Sequence, residues 1–211
     1  MSNEAKIHLS KYETEVVMDT KWILTKQEII EKICSFFGEM HDVYKSVSIP
    51  GNKHIGEIGF IKNGKISKGE NYKGLPYVIL DYPAMFQKEN IFAIRTMFWW
   101  GNFFSITLHI SGKKIMQNVR IHRILSHLKK SNFSVCINND EWQHNFDDVN
   151  YILISEMDET QYAEACARNF LKISKKIDLS NWNETAQFLE NSYMELIELI
   201  KISFPAGETA L

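Results

Sequence analysis

The chain has no long hydrophobic run: no window approaches the roughly 18 uninterrupted apolar residues that a membrane-spanning helix needs. Its first ten residues also lack the basic-then-apolar pattern of an export signal. Cysteine is scarce, with three residues at positions 34, 136 and 166 and no CxxC pair, as expected of reduced thiols. We therefore expect a cytoplasmic protein that does not act at a membrane.

Proline and glycine are also few, four and ten in 211 residues, and no stretch rich in Pro, Gly or Ser forms a linker. The lack of a linker predicts a single domain, residues 1–211. The sequence contains no HExxH, GxSxG, P-loop or GxGxxG motif. It therefore predicts no metal site and indicates no particular cofactor.

Two groups of potential metal ligands do not have the spacing that a metal site requires. His122 and His127 are five residues apart, which places them about 140° apart around a helix. The polar stretch 138–150 contains several carboxylates and one histidine, but it lacks the glycine and the spacing of a calcium loop. This stretch is interpreted as a solvated connection.

Acidic residues are absent from a long central segment. From Ile91 to Asn139 there is no Asp or Glu in 49 residues, although 26 of the 211 residues are acidic. The segment carries seven Lys or Arg, whereas residues 140–211 carry 14 acids and five bases, a charge of −9. The contrast predicts that something anionic meets the middle of the chain: a ligand, a nucleic acid or the protein's own acidic C-terminal third.

The order of the expected elements favours an α+β fold. A capping box, Thr25 to Glu28, precedes a helical apolar pattern that extends to Tyr44. Two strand-like runs, Ile91–Trp100 and Phe103–Ser111, form a central hairpin. The other predicted elements are helices at 4–18, 117–130, 158–176 and 184–203, and strands at 55–60, 77–80, 133–137 and 151–155. The prediction is a mainly antiparallel sheet, with its hairpin at about 91–111, backed by N-terminal and C-terminal helices.

The hairpin predicts a ligand site. Gly101-Asn102 has the composition of a two-residue type II′ turn, which would pair Trp100 with Phe103. One face is then apolar except for Arg95, and the other mixes aromatic rings, hydroxyls and an imidazole, as pocket walls do. We expect Arg95 and the members of the mixed face to bind a ligand; these members include Thr96, Phe98, Trp100, Phe103, Ser105, Thr107 and His109. Cover by the protein's own helices or by a second copy are the alternatives.

Arg95 and His109 have both structural and functional interpretations. An ion pair of Arg95 with Asp81 would compensate a buried charge, whereas an unpaired guanidinium could hold a carboxylate or phosphate. His109 could act as a general base near neutral pH, with Asp81 and Tyr77 as further catalytic candidates. The structural alternative is a core histidine that a neighbouring hydroxyl or carbonyl satisfies.

A basic stripe on the predicted helix 117–130 is a candidate anion site. Its members Arg120, Arg123, His127 and Lys130 fall within about a third of the helix circumference. A solvated face, or pairing with the acidic stripe of the last helix (Glu184, Glu195 and Glu198), are the alternatives. A sequence pI of about 6.4 and the lack of aromatic residues among these charges argue against nucleic acid as the partner.

The sequence thus favours a small cytoplasmic protein that binds a small anionic or aromatic ligand on the mixed face of its hairpin. One alternative is an enzyme that uses His109 or Asp81 as acid or base. Another is a protein-interaction module, or a homodimer, that uses the aromatic hairpin tip and the basic helix.

Overall fold

A computed structural model describes residues 6–47 and 64–204 of the chain. Two helices, α1 (Lys11–Met18) and α2 (Thr20–Ser46), come first. Ser10 begins α1 with a capping box to Glu13, and Asp19 caps α2 by accepting from the amide of Trp22. The predicted helix 26–44 lies within α2, but the predicted capping box at Thr25 is wrong, because α2 already begins at Thr20. The predicted strand at 55–60 lies outside the described residues.

Among the described residues, seven strands form one antiparallel sheet in the order β1-β2-β3-β4-β7-β5-β6. The strands are β1 (Lys65–Tyr72), β2 (Leu75–Gln87), β3 (Asn90–Trp99), β4 (Phe103–Ser111), β5 (Ser134–Cys136), β6 (Tyr151–Leu153) and β7 (Phe170–Asp178). The remaining helices are α3 (Lys113–Met116), α4 (Ile121–Leu128), α5 (Glu159–Cys166) and α6 (Thr185–Ser203), with short 3-10 segments at Ile154–Glu156 and Leu179–Glu184. This arrangement confirms the predicted α+β class, the antiparallel sheet and the helices at both ends.

One face of the sheet, which we call the first face, carries the main core. Helices α2 and α6 pack on it, and their Tyr44 and Tyr193 rings stack with centroids 4.0 Å apart. The Tyr44 hydroxyl lies 3.1 Å from Thr96 Oγ1, which is fully buried. Within residues 6–47 and 64–204, no helix has both the length and the apolar character needed to cross a bilayer.

The hairpin register differs from the prediction by one residue. Trp99, not Trp100, pairs with Phe103, so the loop has three residues, and Gly101 adopts the positive φ of +70° that the third position of a type II turn requires. Since neighbouring residues in a strand face opposite sides, the shift changes which residues share a face. Thr96 and Phe98 therefore lie in the main core and not with His109.

Several predicted elements have different bounds. Among the described residues, the predicted helix 4–18 begins only at Lys11. The predicted helix 158–176 begins as expected with Asp158 as its N-cap, but it ends at Cys166, and β7 follows. The predicted helix 117–130 is shorter, because α4 begins only at Ile121. The predicted strand 77–80 is longer in the structure, because β2 begins at Leu75 and continues past an irregularity at 81–84 to Gln87.

Candidate functional site

A row of polar side chains crosses the opposite face of the sheet, which we call the second face. In register, β2 supplies Asp81, β3 Arg95, β4 Thr107, β7 Ser174 and β5 Ser134. Four of the five residues are buried, and Arg95 is nearly so. Buried polar groups must find partners, and the hydroxyls of Thr107 and Ser174 lie 2.7 Å apart. This sheet face therefore holds an ordered polar network beside a smaller apolar cluster of Ile79, Met97, Trp99 and Phe103.

Asp81 and Arg95 form a bidentate ion pair. Arg95 Nε donates to Asp81 Oδ1 at 2.8 Å, and Nη2 donates to Oδ2 at 3.0 Å. The side chains are only 8% and 14% exposed, so each charge depends on the other for compensation. The pairing is the structural alternative that the sequence offered for Arg95. It also occupies both oxygens of the carboxylate that was a catalytic candidate.

The segment 137–150, which joins β5 to β6, covers this polar face; we call it the cap loop. The Tyr72 hydroxyl accepts from the amides of His144 and Asn145, at 2.6 and 3.1 Å. Asn145 and Asn150 are buried. The interpretation of this stretch as a solvated connection was therefore wrong in part: these two residues are buried, whereas Asp140, Asp147 and Asp148 are exposed.

Lys172 of β7 fixes the cap loop to the sheet. The residue is 1% exposed, and its Nζ donates to the main-chain oxygen of Glu141 at 2.9 Å and to that of Gln143. Burial lowers the pKa of Lys172 to about 8, and the nearby Arg95 charge adds to the effect. The neutral amine is therefore accessible just above neutral pH.

His144 lies between Arg95 and Lys172. Its Nε2 is 3.2 Å from Arg95 Nη1 and its Nδ1 is 3.3 Å from Lys172 Nζ. Because a guanidinium can only donate, Nε2 is the accepting nitrogen and Nδ1 carries the hydrogen of a neutral ring. Burial, then the Lys172 and Arg95 charges, hold the pKa of His144 well below its ordinary range. A neutral Lys172 amine, with two N–H donors and one lone pair, would match its three contacts.

His109 joins the site through Glu141 of the cap loop. Its Nε2 lies 2.9 Å from Glu141 Oε2, and the side chains are 5% and 23% exposed. Burial lowers the pKa of His109 despite the opposing effect of Glu141, and the hydrogen bond from His109 lowers the pKa of Glu141. Both pKa shifts are those expected of a neutral imidazole that donates a hydrogen bond to a carboxylate. The cap loop thus supplies the partner of His109, where sequence reasoning expected a hydroxyl or carbonyl.

A cleft of about 680 Å³ lies beside the cap loop, next to the part of β7 that extends past its pairing with β5. Its inner wall includes the rings of Phe146 and Tyr151, which stack with centroids 4.6 Å apart and an interplanar angle of 15°. Lys176 Nζ lies 5.1 Å from the centroid of Phe146. Tyr151 also contacts the polar network, since Lys172 Nζ is 5.7 Å from its ring centroid. The cleft is therefore next to the buried polar network.

The hairpin tip is covered by the chain itself. On the second face, Trp99 and Phe103 are 7% and 6% exposed and pack with Tyr72 and Phe146. On the first face, Phe104 packs against Trp182, with centroids 5.3 Å apart. The structure agrees with the alternative that the protein's own residues cover these aromatic side chains.

The predicted ligand residues divide between the two faces and the turn. Arg95, Phe103, Ser105, Thr107 and His109 share the second face. The prediction that they share it with Thr96, Phe98 and Trp100 is wrong: the first two belong to the main core, and Trp100 lies in the turn, partly buried. Tyr77 pairs laterally with Trp99, so it lies near Phe103, roughly 20 Å along the strand from His109.

The basic stripe lies apart from this site. Arg123, His127 and Lys130 are exposed on or just after α4, and Arg120 is partly buried at its start. Helix α4 packs beside α6, and a shallow groove of about 610 Å³ runs between them. Two carboxylates of α6 have other partners, because Lys175 binds Glu195 at 3.1 Å and Lys201 binds Glu198 at 2.5 Å. In the part of the chain that the structure describes, no carboxylate lies within 4.0 Å of a charged nitrogen of the stripe.

Sequence reasoning missed Lys172, His144 and Phe146 as site residues. Lys172 was assigned to a helix, and the two cap-loop residues to solvent. The alternation of apolar and polar residues in β7 was the signal that could have revealed the strand. Within the described residues, no group of three or more His, Cys, Asp or Glu side chains could hold a metal ion.

Comparisons of the chain with protein-family models, with curated proteins and with solved structures gave no match.

Proposed function

We propose that this protein binds a small ligand that combines a flat ring with an anionic group, in the cleft beside the cap loop. The observation that carries the proposal is the stacked pair of Phe146 and Tyr151 at the inner wall, with Lys176 Nζ above the Phe146 ring. A volume of about 680 Å³ falls within the usual range for small-molecule sites, roughly 300–1,000 Å³. A ring can pack on the aromatic wall while the lysine meets its charge.

Lys176 is the cation best placed to receive the anionic group. Lys175, the other lysine of the cleft, is bound to Glu195, whereas no carboxylate within residues 6–47 and 64–204 lies within 4.0 Å of the Lys176 amine. Lys176 is exposed and projects from the second face, in register with Ser105. The proposed site therefore extends the mixed hairpin face toward β7.

The buried network behind the cleft gives the site a rigid wall. Phe146 belongs to the cap loop, which Lys172 and Tyr72 hold to the sheet through main-chain contacts. A wall that is already ordered loses little conformational entropy when a ligand binds. The three cysteines are free thiols, so a reducing cytoplasmic location is part of the proposal.

Isothermal titration calorimetry with 1-naphthyl phosphate as the probe tests the proposal. We expect one binding site per chain, with weaker binding of 1-naphthol, which lacks the charge, and of inorganic phosphate, which lacks the ring. Lys176→Met should weaken probe binding about tenfold or more, because a charge-assisted contact contributes about 1.5–3 kcal/mol. Lys68→Met removes an exposed lysine from β1, at the sheet edge opposite the cleft, and should leave binding unchanged.

Two results would contradict this proposal. The first is the absence of heat with 1-naphthyl phosphate up to millimolar concentration. The second is binding that Lys176→Met leaves unaltered, which would place the probe elsewhere on the protein. Phe146→Leu provides a further check, since it should weaken binding of the ring compounds and spare inorganic phosphate.

Acid–base catalysis by His109 is a second candidate function. The observation that favours it is the His109–Glu141 hydrogen bond, in which the partly exposed carboxylate connects a buried imidazole to solvent. Release of 1-naphthol from the same probe, followed by fluorescence, tests this function. Turnover by the wild-type protein that His109→Gln abolishes, without loss of probe binding, would support it, and equal turnover in both proteins would refute it.

A further inference from the structure

The N-terminal helical segment, residues 7–24, presents an unusual apolar surface, and we call it the arm. Eight of its large apolar side chains are 40–87% exposed: Ile7, Leu9, Tyr12, Val17, Met18, Trp22, Ile23 and Leu24. Helix α1 buries none of its residues, and the first buried residue of α2 is Ile30. Scattered exposed apolar residues are ordinary, but eight exposed large apolar side chains within 18 residues are dense enough to mark an interaction surface.

The chain itself gives α1 little support. An isolated helix of fewer than about 12 residues is marginal in water, and α1 has eight. Its capping box contributes about 1 kcal/mol, and its Lys11–Glu15 ion pair, at 3.9 Å with both side chains largely exposed, contributes little. Packing of its apolar side chains against another surface is the physical source of stability that remains.

We propose that the arm is a dimerisation surface and that its partner is the arm of a second copy of this chain. In a twofold contact the same patch serves both copies, so an apolar surface is complementary to itself. At about 25 cal/mol per Å² and 1.5–3 kcal/mol per buried side chain, a side chain covers roughly 60–120 Å², so eight side chains that are 40–87% exposed offer roughly 300–600 Å² per copy. A twofold contact that buries most of this surface would cover roughly 600–1,200 Å², a range that includes the lower limit for a specific interface.

The charges of the arm favour this partner over an anionic one. Residues 7–24 contain two lysines and three acids, so the arm has a formal charge of −1 and no positive charge with which to attract nucleic acid or an anionic membrane. In α1, Lys11 lies in the first turn and Asp19 directly follows the last. Antiparallel pairing of two arms would set each Lys11 near Asp19 of the second copy, with the helix dipoles opposed.

The proposal is independent of the ligand cleft, because the cleft contains no arm residue. It also places the interface away from the hairpin tip, whose aromatic side chains already pack within the chain. A dimer formed through the arm would leave the cleft of each copy open.

Sedimentation velocity of the full chain at 1–100 μM tests the proposal with a matched pair of variants. Val17 in the arm and Val149 in the cap loop are the same residue type, with 69% and 72% exposure. We expect the wild-type protein and Val149→Glu to form a dimer of twice 24.6 kDa. Val17→Glu should raise the dimer dissociation constant at least about 100-fold, because it places a charge in a desolvated contact on each copy.

The outcomes distinguish the partner. A wild-type monomer throughout the concentration range would overturn the proposal, since the arm would then be free or covered in some other way. A dimer that dissociates equally with both variants, or with neither, would also overturn it. Circular dichroism confirms folding, and Val17 is suitable because it makes no contact with the core of its own chain. Tyr12→Glu, at a second exposed arm position, should repeat the effect of Val17→Glu.

Discussion

Replacing Lys172 by methionine should give a stability difference that depends on pH in a defined direction. In the folded protein the pKa of Lys172 is lowered from 10.5 to about 8, chiefly by burial. At about 1.4 kcal/mol per pH unit, this difference corresponds to roughly 3 kcal/mol against the charged amine in the folded state. Methionine has a similar length and cannot titrate, so the variant lacks this contribution.

The sign follows from proton linkage. Between about pH 8 and pH 10.5 the unfolded chain keeps the Lys172 proton and the folded protein does not, so the free energy of unfolding rises with pH. With these two pKa values, the wild-type protein should gain about 1.5 kcal/mol relative to Lys172→Met between pH 8 and pH 9.5. Loss of the donors to the Glu141 and Gln143 oxygens adds about 1–3 kcal/mol per unpaired group, a penalty that is nearly constant over this range.

Urea unfolding followed by far-ultraviolet circular dichroism, at half-unit steps from pH 7 to pH 9.5, measures this difference. Subtraction of the variant removes the contributions of the tyrosines and cysteines that both proteins share. Lys129→Met makes the same chemical change at an exposed site. Comparison of the two variants therefore isolates the effect of burying the amine on stability. A wild-type advantage that stays constant or falls with pH would refute the assignment of Lys172 as a desolvated amine.

Two further predictions concern the neighbours of Lys172. His144→Gln should become more stable relative to the wild-type protein as the pH falls below 6.5, because the unfolded histidine then takes a proton that the folded site resists. Thermal melts of both proteins from pH 7 to pH 5 measure the difference in stability. A difference that does not change with pH would contradict the prediction. Asp81→Asn and Arg95→Met should each destabilise by about 3–5 kcal/mol in urea unfolding, and the double variant by clearly less than their sum, because each single change leaves one buried charge unpaired. Simple additivity would contradict the second prediction.

The class of the fold followed from the sequence because its strongest signals are local. The N-cap at Asp158 and the apolar stripe of α2 depend on residues within one or two helical turns, and both are present. The Arg95–Asp81 pair was also accessible, since a charge on a largely apolar strand has few nearby partners. The hairpin register was less accessible, because Gly101 suits either a two-residue or a three-residue loop.

The polar network was beyond the reach of the sequence for a physical reason. Its members come from five strands and a loop, and their contacts depend on β7 lying beside β4. The composition of 158–176 is compatible with one long helix. The residues after Cys166 form a strand because the free edge of β4 needs a hydrogen-bonding partner. With β7 assigned to a helix, no argument from spacing could bring Lys172 to His109, its lateral neighbour in the sheet.

The ion pairs within the chain account for only part of the contrast between its basic middle segment and its acidic C-terminal third. Arg95, the first cation of the acid-free segment, binds Asp81, and two carboxylates of α6 bind lysines of the C-terminal third. The exposed cations around α4 have no such partners among the described residues, so a solvated face accounts for them better than pairing with α6 does. Lys176 has a different setting, because it lies over an aromatic ring at a cleft. A cation beside a concave aromatic wall can select a ligand by shape as well as by charge, whereas a cation on a convex helix attracts any anion.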